Sequence, residues 1–244
     1  MKRWLALFVA LCCFGICGMA QTADELVSKN IQAKGGLEKI KAIKTLRVTG
    51  NAVSGGTPIV VVNEYMRPDM IRESFSIAGM TAVQAYDGSS GWQISPFGGR
   101  KDPEFLGEDD VRDLQLDADF EGPLVDYRAK GNTVEFLGHD TVDGDDALRL
   151  KVTLKDGDVV YYYLDPDTYL EIRKETQEFI RGAVKESFTD VGSYKPVAGV
   201  MFPYSITTGS KNNPDGGFTI TVEKVEVNAP LPASDFAVPA SLKK

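Results

Sequence analysis

The sequence predicts a mainly β fold: an antiparallel meander of about eleven strands curled into a sheet or barrel, with N-terminal helices and one helical insertion. Three observations carry this. Apolar and polar residues alternate from Leu46 almost to the C-terminus. Turn signals such as "SGG", "DGDD", "KDGD" and "NNPDGG" punctuate the alternation every roughly 8–12 residues. Strands do not alternate with helices, which excludes a nucleotide-binding α/β sheet.

The first twenty residues stand apart from the fold. Lys2 and Arg3 form a positive head, "WLALFVALCCFGIC" is apolar, and "GMA" offers small residues for cleavage after Ala20. This is the order of a secretory signal peptide, too short and wrongly flanked for a membrane span. A retained anchor and a lipidated Cys17 are the competing readings, but Ile16 precedes Cys17 where a small residue is wanted. All three cysteines, Cys12, Cys13 and Cys17, fall in this leader. The mature chain is therefore expected to be periplasmic, without disulfide, reactive thiol or cysteine metal ligand. Loss of Lys2 and Arg3 takes the formal charge from −8 to −10. With no basic run, nucleic acid and anionic membrane surfaces are poor partners.

Residues 21–244 are expected to form one domain. Thr22 and Glu25 fit a capping box, and Leu26, Val27, Ile31, Leu37, Ile40 and Ile43 form an apolar stripe. Gly35 and Gly36 interrupt it, predicting two short helices within 22–43. Strands are expected at Thr45–Val53, Pro58–Arg67, Met70–Ile77, Thr81–Tyr86, Gly91–Ser95, Thr133–Gly138, Ala147–Leu154, Val159–Asp165, Tyr169–Thr176, Ala183–Val191, Met201–Thr208 and Phe218–Val227. One long insertion, 101–127, separates the fifth from the sixth. Glu108, Asp109 and Asp110 favour a helix start there. Val111 and Leu114 share a helix face, flanked by Phe105, Leu106, Leu116 and Phe120. An insertion of this kind in a compact β domain is a lid or a plug.

The stretch "AYDGSSGWQISPFGG", 85–99, contains the one Gly-Ser-rich turn that could be mistaken for chemistry. "GSSG" lacks one residue of the G-x-S-x-G nucleophile elbow and leads into a strand, so neither an activated serine nor a phosphate cradle fits. His139, the single histidine, lies far from it in sequence and sits beside a turn. The acidic groups at 140–146 and 164–168 break the calcium-loop pattern and suit ordinary Asp-Gly and Asp-Pro turns. No metal, cofactor or enzymatic activity is expected. Aromatic residues are numerous instead, among them Tyr65, Phe75, Trp92, Phe97, Tyr204 and Phe218. A strongly curved sheet encloses more space than its own side chains fill, which suits an apolar ligand cavity. Alternation puts Trp92, Ile94 and Pro96 on one face, expected to turn inward.

"DGSSGWQISPF", 87–97, resembles the periplasmic lipoprotein carriers of the outer-membrane lipoprotein-sorting (LolA/LolB-like) family, where a D-G-x-x-x-W-x-x-x-P-F spacing spans a hairpin. "EYMRPDMIRE" (64–73) is similar to that family's strand–Arg-Pro–strand segment, and "VNAPLPASDFAVP" (227–239) to its closing strand and tail. The resemblance implies an open, incomplete β-barrel with a helical lid over an apolar cavity that holds acyl chains. It also implies that Arg67, before the proline, holds the lid closed. On this reading Arg67, Trp92, Ile94, Phe97, Phe105, Leu106, Val111, Leu114 and Phe120 line the cavity or lid of a monomer. That monomer would carry lipoprotein acyl chains, or another lipid, between inner- and outer-membrane sorting components. The alternative is an envelope protein that uses the barrel as an interaction scaffold. At about 0.8 kcal/mol per buried CH₂, a sixteen-carbon chain forgoes on the order of 12 kcal/mol in water and cannot cross an aqueous space unaided.

Overall fold

The computed structural model describes residues 22–54, 56–180 and 182–243; the leader and its cleavage site lie outside the described residues. The chain opens with α1 (Ala23–Ala33) and α2 (Leu37–Ala42). The Glu25 amide donates to Thr22 Oγ1 at 3.2 Å, capping α1. Gly35 separates the helices for two reasons. Its φ is +119°, and a Cβ there would lie 2.2 Å from the Gly199 carbonyl oxygen, so the turn demands glycine.

The strands are β1 (Thr45–Ser54), β2 (Thr57–Met66), β3 (Met70–Ile77), β4 (Met80–Tyr86), β5 (Gly91–Ile94) and β6 (Glu104–Phe105), then α3 (Glu108–Ala118). After α3 come β7 (Thr133–Val142), β8 (Asp145–Thr153), β9 (Val159–Leu164), β10 (Glu171–Ile180) and β11 (Ala183–Gly192). The last are β12 (Lys195–Val197), β13 (Val200–Phe202), β14 (Ser205–Ser210) and β15 (Asn213–Val227). Thirteen of them form one antiparallel sheet in the order β6-β5-β4-β3-β2-β1-β15-β14-β11-β10-β9-β8-β7, and β12–β13 form a separate hairpin. The expected strand 201–208 is thus divided. Pro203 has no N–H to give a ladder, and the chain changes sheet around it. His139 lies within β7 rather than beside its turn, past a bulge between Phe136 and Gly138.

The sheet curls. On one side Leu114 and Ala118 of α3 pack on Ile71 of β3 and Tyr86 of β4. On the other, Arg112 donates to the Phe179 carbonyl of β10 at 3.3 Å, and Lys185 of β11 pairs with Asp113 at 2.7 Å. Five strands separate β3 from β10 in the sheet order. In a flat sheet, at about 4.8 Å per strand, that places them roughly 29 Å apart, well beyond a helix about 10 Å across. The edges β6 and β7 are not paired with each other, so the barrel is open.

Strand register assigns the two faces. The helix-bearing face, pointing inward, carries Leu148, Leu150, Val160 and Tyr162 under Leu26 and Val27 of α1. Beside them Leu46, Val222 and Val225 lie under Ile40 and Ile43 of α2. The outer face of β2–β5 is covered by the C-terminal tail: Ala229, Leu231 and Phe236 meet Met66 and Met70, and Val238 meets Val83, Ala85 and Trp92. Phe236 is 0% exposed. Among the described residues no helix is long and apolar enough to cross a membrane.

Candidate ligand site and its latch

Arg67 stands in the turn between β2 and β3 and reaches the helices. Its Nε donates to the Ile43 carbonyl at 2.7 Å, and its Nη2 to the Ile40 carbonyl at 3.1 Å and to Glu121 Oε2 at 2.6 Å. The two carbonyls belong to the last turn of α2 and the residue that caps it, where helices leave acceptors unpaired. The guanidinium also lies 4.7 Å from the centre of the Phe120 ring, itself 5.9 Å from that of Tyr65. Glu121 is the acceptor around which the contacts gather. Lys41 of α2 and Lys130 each approach its Oε1 at 3.2 Å. Burial disfavours its charge, yet the Arg67 hydrogen bond and the Lys130 and Arg67 charges hold its carboxyl below the ordinary 4.5. Arg67, α2 and the segment following α3 therefore form one polar knot.

Above the knot the inward face loses its helical cover. Ala52, Ile59 and Val61, themselves buried, pack with the strand residues Phe75, Ile77, Phe218 and Ile220, and among the described residues no helix belongs to this cluster. The last four are half-buried, whereas the inward residues beneath α1 are closed off from solvent. This leaves an apolar trough whose open surface is Phe75 and Ile77 of β3 and Phe218 and Ile220 of β15, with Ala52, Ile59 and Val61 buried among them. Its far wall, on β10, β11 and β14, presents Lys174, Thr176, Ser187, Thr189 and Thr208 in facing register.

The lid helix presents acid to this space. Val111, Leu114 and Ala118 turn toward β3–β5, which puts Asp113 and Asp117 together on the adjoining flank. Burial, together with the Asp117 charge, pushes the Glu73 carboxyl of β3 up to about 8. Asp117 is raised by burial among its neighbours and by Asp113, against the pull of Lys174, although its side chain remains accessible to solvent. Glu178 of β10 is pushed up to about 7 by burial and by its hydrogen bond with Asp113. Beside α3 a cleft of about 620 Å³ is lined mostly by polar groups, among them Arg112, Asp119, Lys130, Lys155 and Asp158. The resemblance implies a lid over an apolar cavity; the cleft that borders α3 is polar. Among the described residues no cluster of His, Cys, Asp or Glu is arranged to hold a metal ion.

The expected site residues divide accordingly. Arg67 and Phe120 meet at the knot, and Leu106, Val111 and Leu114 fasten α3 to the sheet. Trp92 and Ile94 share a face as expected, but it is the outer one. Trp92 is 6% exposed beneath the tail, and its Nε1 donates to the Phe236 carbonyl at 2.9 Å. The inward position there belongs to Gly91, where a Cβ would strike Val111 Cγ2 at 2.8 Å. Phe105 pairs across from Trp92 on that outer face and is exposed, as is Phe97. The "DGSSG" stretch is a turn: Asp87 Oδ1 accepts from the Ser89 and Ser90 amides at 3.0 and 2.9 Å. Glu121, Glu73 and Asp117 were missed. A single acid before Gly-Pro, or inside an alternating strand, gives no sign of the partners that the fold brings to it.

Comparison with solved structures gives the fold its likeness. A LolA superfamily protein from Nitrosomonas europaea superposes over 90% of this chain and 99% of its own, with a TM-score of 0.54 and 13% identity. A putative outer membrane lipoprotein-sorting protein domain from Vibrio parahaemolyticus matches over 86% and 97%, at 0.53 and 10%. A DUF1329 family protein from Desulfovibrio piger matches over 89% and 98%, at 0.54 and 11%. No protein-family model matches the sequence, and no curated protein does.

Proposed function

We propose that this chain, whose open barrel is LolA-like, is an exported envelope protein that binds a hydrophobic ligand and carries it across the periplasm. One observation supports the reading: Phe75, Ile77, Phe218 and Ile220 face inward and stay half-exposed, and among the described residues no helix belongs to their cluster. Bare apolar surface inside a barrel is unfavourable by about 25 cal/mol per Å² unless something covers it. An acyl chain, of a lipoprotein or of another lipid, would serve, and the Arg67–Glu121 knot would hold the lid shut over the cargo. The protein does no chemistry on that cargo and hands it over when the knot opens. A scaffold role is the second reading, favoured by the extent to which α1 and α2 already fill the barrel.

The test is titration of delipidated mature protein with N-phenyl-1-naphthylamine, an uncharged apolar fluorophore. Saturable enhancement, weakened at least fivefold in Ile77→Gln, is expected. Flat fluorescence at saturating probe removes the carrier reading and leaves the scaffold.

A further inference from the structure

The trough has two unlike walls. On β15, β1, β2 and β3 the inward residues are hydrocarbon: Phe218, Ile220, Ala52, Ile59, Val61 and Phe75. Across the space, register brings Thr176 opposite Ser187, Lys174 opposite Thr189, and Thr189 opposite Thr208. Four hydroxyls thus stand on one inward surface. All four residues are half-buried, and among the described residues none of these side chains has a hydrogen-bond partner. The Glu73 and Asp117 carboxyls project toward the same space, likewise without a hydrogen bond or ion pair to a described residue.

We infer that the lumen takes a single-chain amphiphile with an uncharged, hydroxyl-bearing head, its chain on the half-buried Phe75, Ile77, Phe218 and Ile220 and its head on the Thr176–Ser187–Thr189–Thr208 wall. The inference rests on the ligand-binding reading above and names the ligand class. A plain hydrocarbon would satisfy one wall and desolvate four hydroxyls on the other with nothing in return. An anionic head would meet Asp113 and Asp117. A cationic head would meet Lys174, with Lys185 beside Asp113 and Glu178. The raised Glu73 and Glu178 carboxyls hold protons near neutrality, so they too present neutral donors and acceptors. A glyceryl or similar polyol head can pair with all of these without bringing a charge.

The experiment is calorimetry on delipidated mature protein with three twelve-carbon probes below their micelle concentrations: 1-monododecanoylglycerol, dodecanoate and dodecyltrimethylammonium. The glyceryl ester is expected to bind at least tenfold more tightly than either ion. The isosteric pair Thr176→Val and Thr189→Val should weaken it at least threefold while leaving naphthylamine binding unchanged. Ser187→Ala with Thr208→Val serves in its place if the first pair does not fold. Equal or tighter binding of either ion, or indifference of the glyceryl ester to the hydroxyl variants, overturns the inference. Naphthylamine binding without any head preference overturns this inference alone; loss of all binding overturns the carrier reading as well.

Discussion

Replacing Arg67 by leucine isolates the knot. The side chain makes three hydrogen bonds of 2.6–3.1 Å to Ile43, Ile40 and Glu121, and it is 21% exposed, so its charge is only partly screened. Breaking a buried pair by removing one partner costs about 3–5 kcal/mol. Two things reduce that here: Lys41 and Lys130 remain 3.2 Å from Glu121, and the α2 carbonyls can take water once the helix lifts. A local cost of about 2–4 kcal/mol is left, equivalent to roughly 30- to 1,000-fold in an opening equilibrium. Native-state hydrogen exchange reads it directly: amides of α2 and of 119–126 should exchange faster by that factor, with those of β8 and β9 unchanged. Arg67→Lys should recover only part, because an ammonium cannot serve carbonyls and carboxylate with one rigid fork. The Glu121 share of the protection, whose folded-state pKa is depressed, is complete above the ordinary 4.5 and lost as pH falls through the folded value. Exchange unchanged within threefold in both segments, despite a lower global stability, would refute the latch and leave Arg67 as packing.

Glu73 sets the opposite pH dependence. Its folded pKa of about 8 exceeds the ordinary 4.5, so the native state binds the extra proton, and stability falls as pH rises through that window by up to about 1.4 kcal/mol per unit. Glu73→Gln should flatten the slope of denaturation midpoint against pH between 5 and 8; an unaltered slope contradicts the assignment. Phe236→Ala removes the tail's own anchor, a side chain that is 0% exposed, and should cost about 3–5 kcal/mol. In protein prepared without residues 1–20, Trp92 is the one tryptophan and should then emit further to the red, and a wild-type emission maximum in the variant would show that the tail stays docked.

Much of this was legible locally and little of it globally. The glycine-split helix pair, the Asp87 turn and most strands follow from short-range rules, and α1 ends and α2 begins where Gly35 and Gly36 require. The two residues of β6 are too few to show alternation, and the run 201–208 conceals the change of sheet at Pro203. Alternation said that Trp92 and Ile94 share a face but not which one; that depends on a tail more than 140 residues away that covers the outer surface. Arg67 was found through its proline neighbour and a family likeness. Glu121 gathers three cations from separate segments, a convergence that has no local trace.

The path of the chain has a mechanical consequence. It enters the sheet near the middle at β1 and works outward to one free edge at β6. It then crosses to the other free edge at β7 and works back until β15 lies beside β1. The crossing, residues 106–132, is therefore the span that joins the two lips of the barrel, and it contains both α3 and Glu121. Spreading the lips lengthens the distance that this span must bridge, and the tension falls on the Arg67–Glu121 contact. On the proposed carrier reading, the width of the mouth and the state of the fastening are geared together: a cargo bulky enough to wedge the lips apart would loosen its own restraint, and one thin enough to let them close would tighten it.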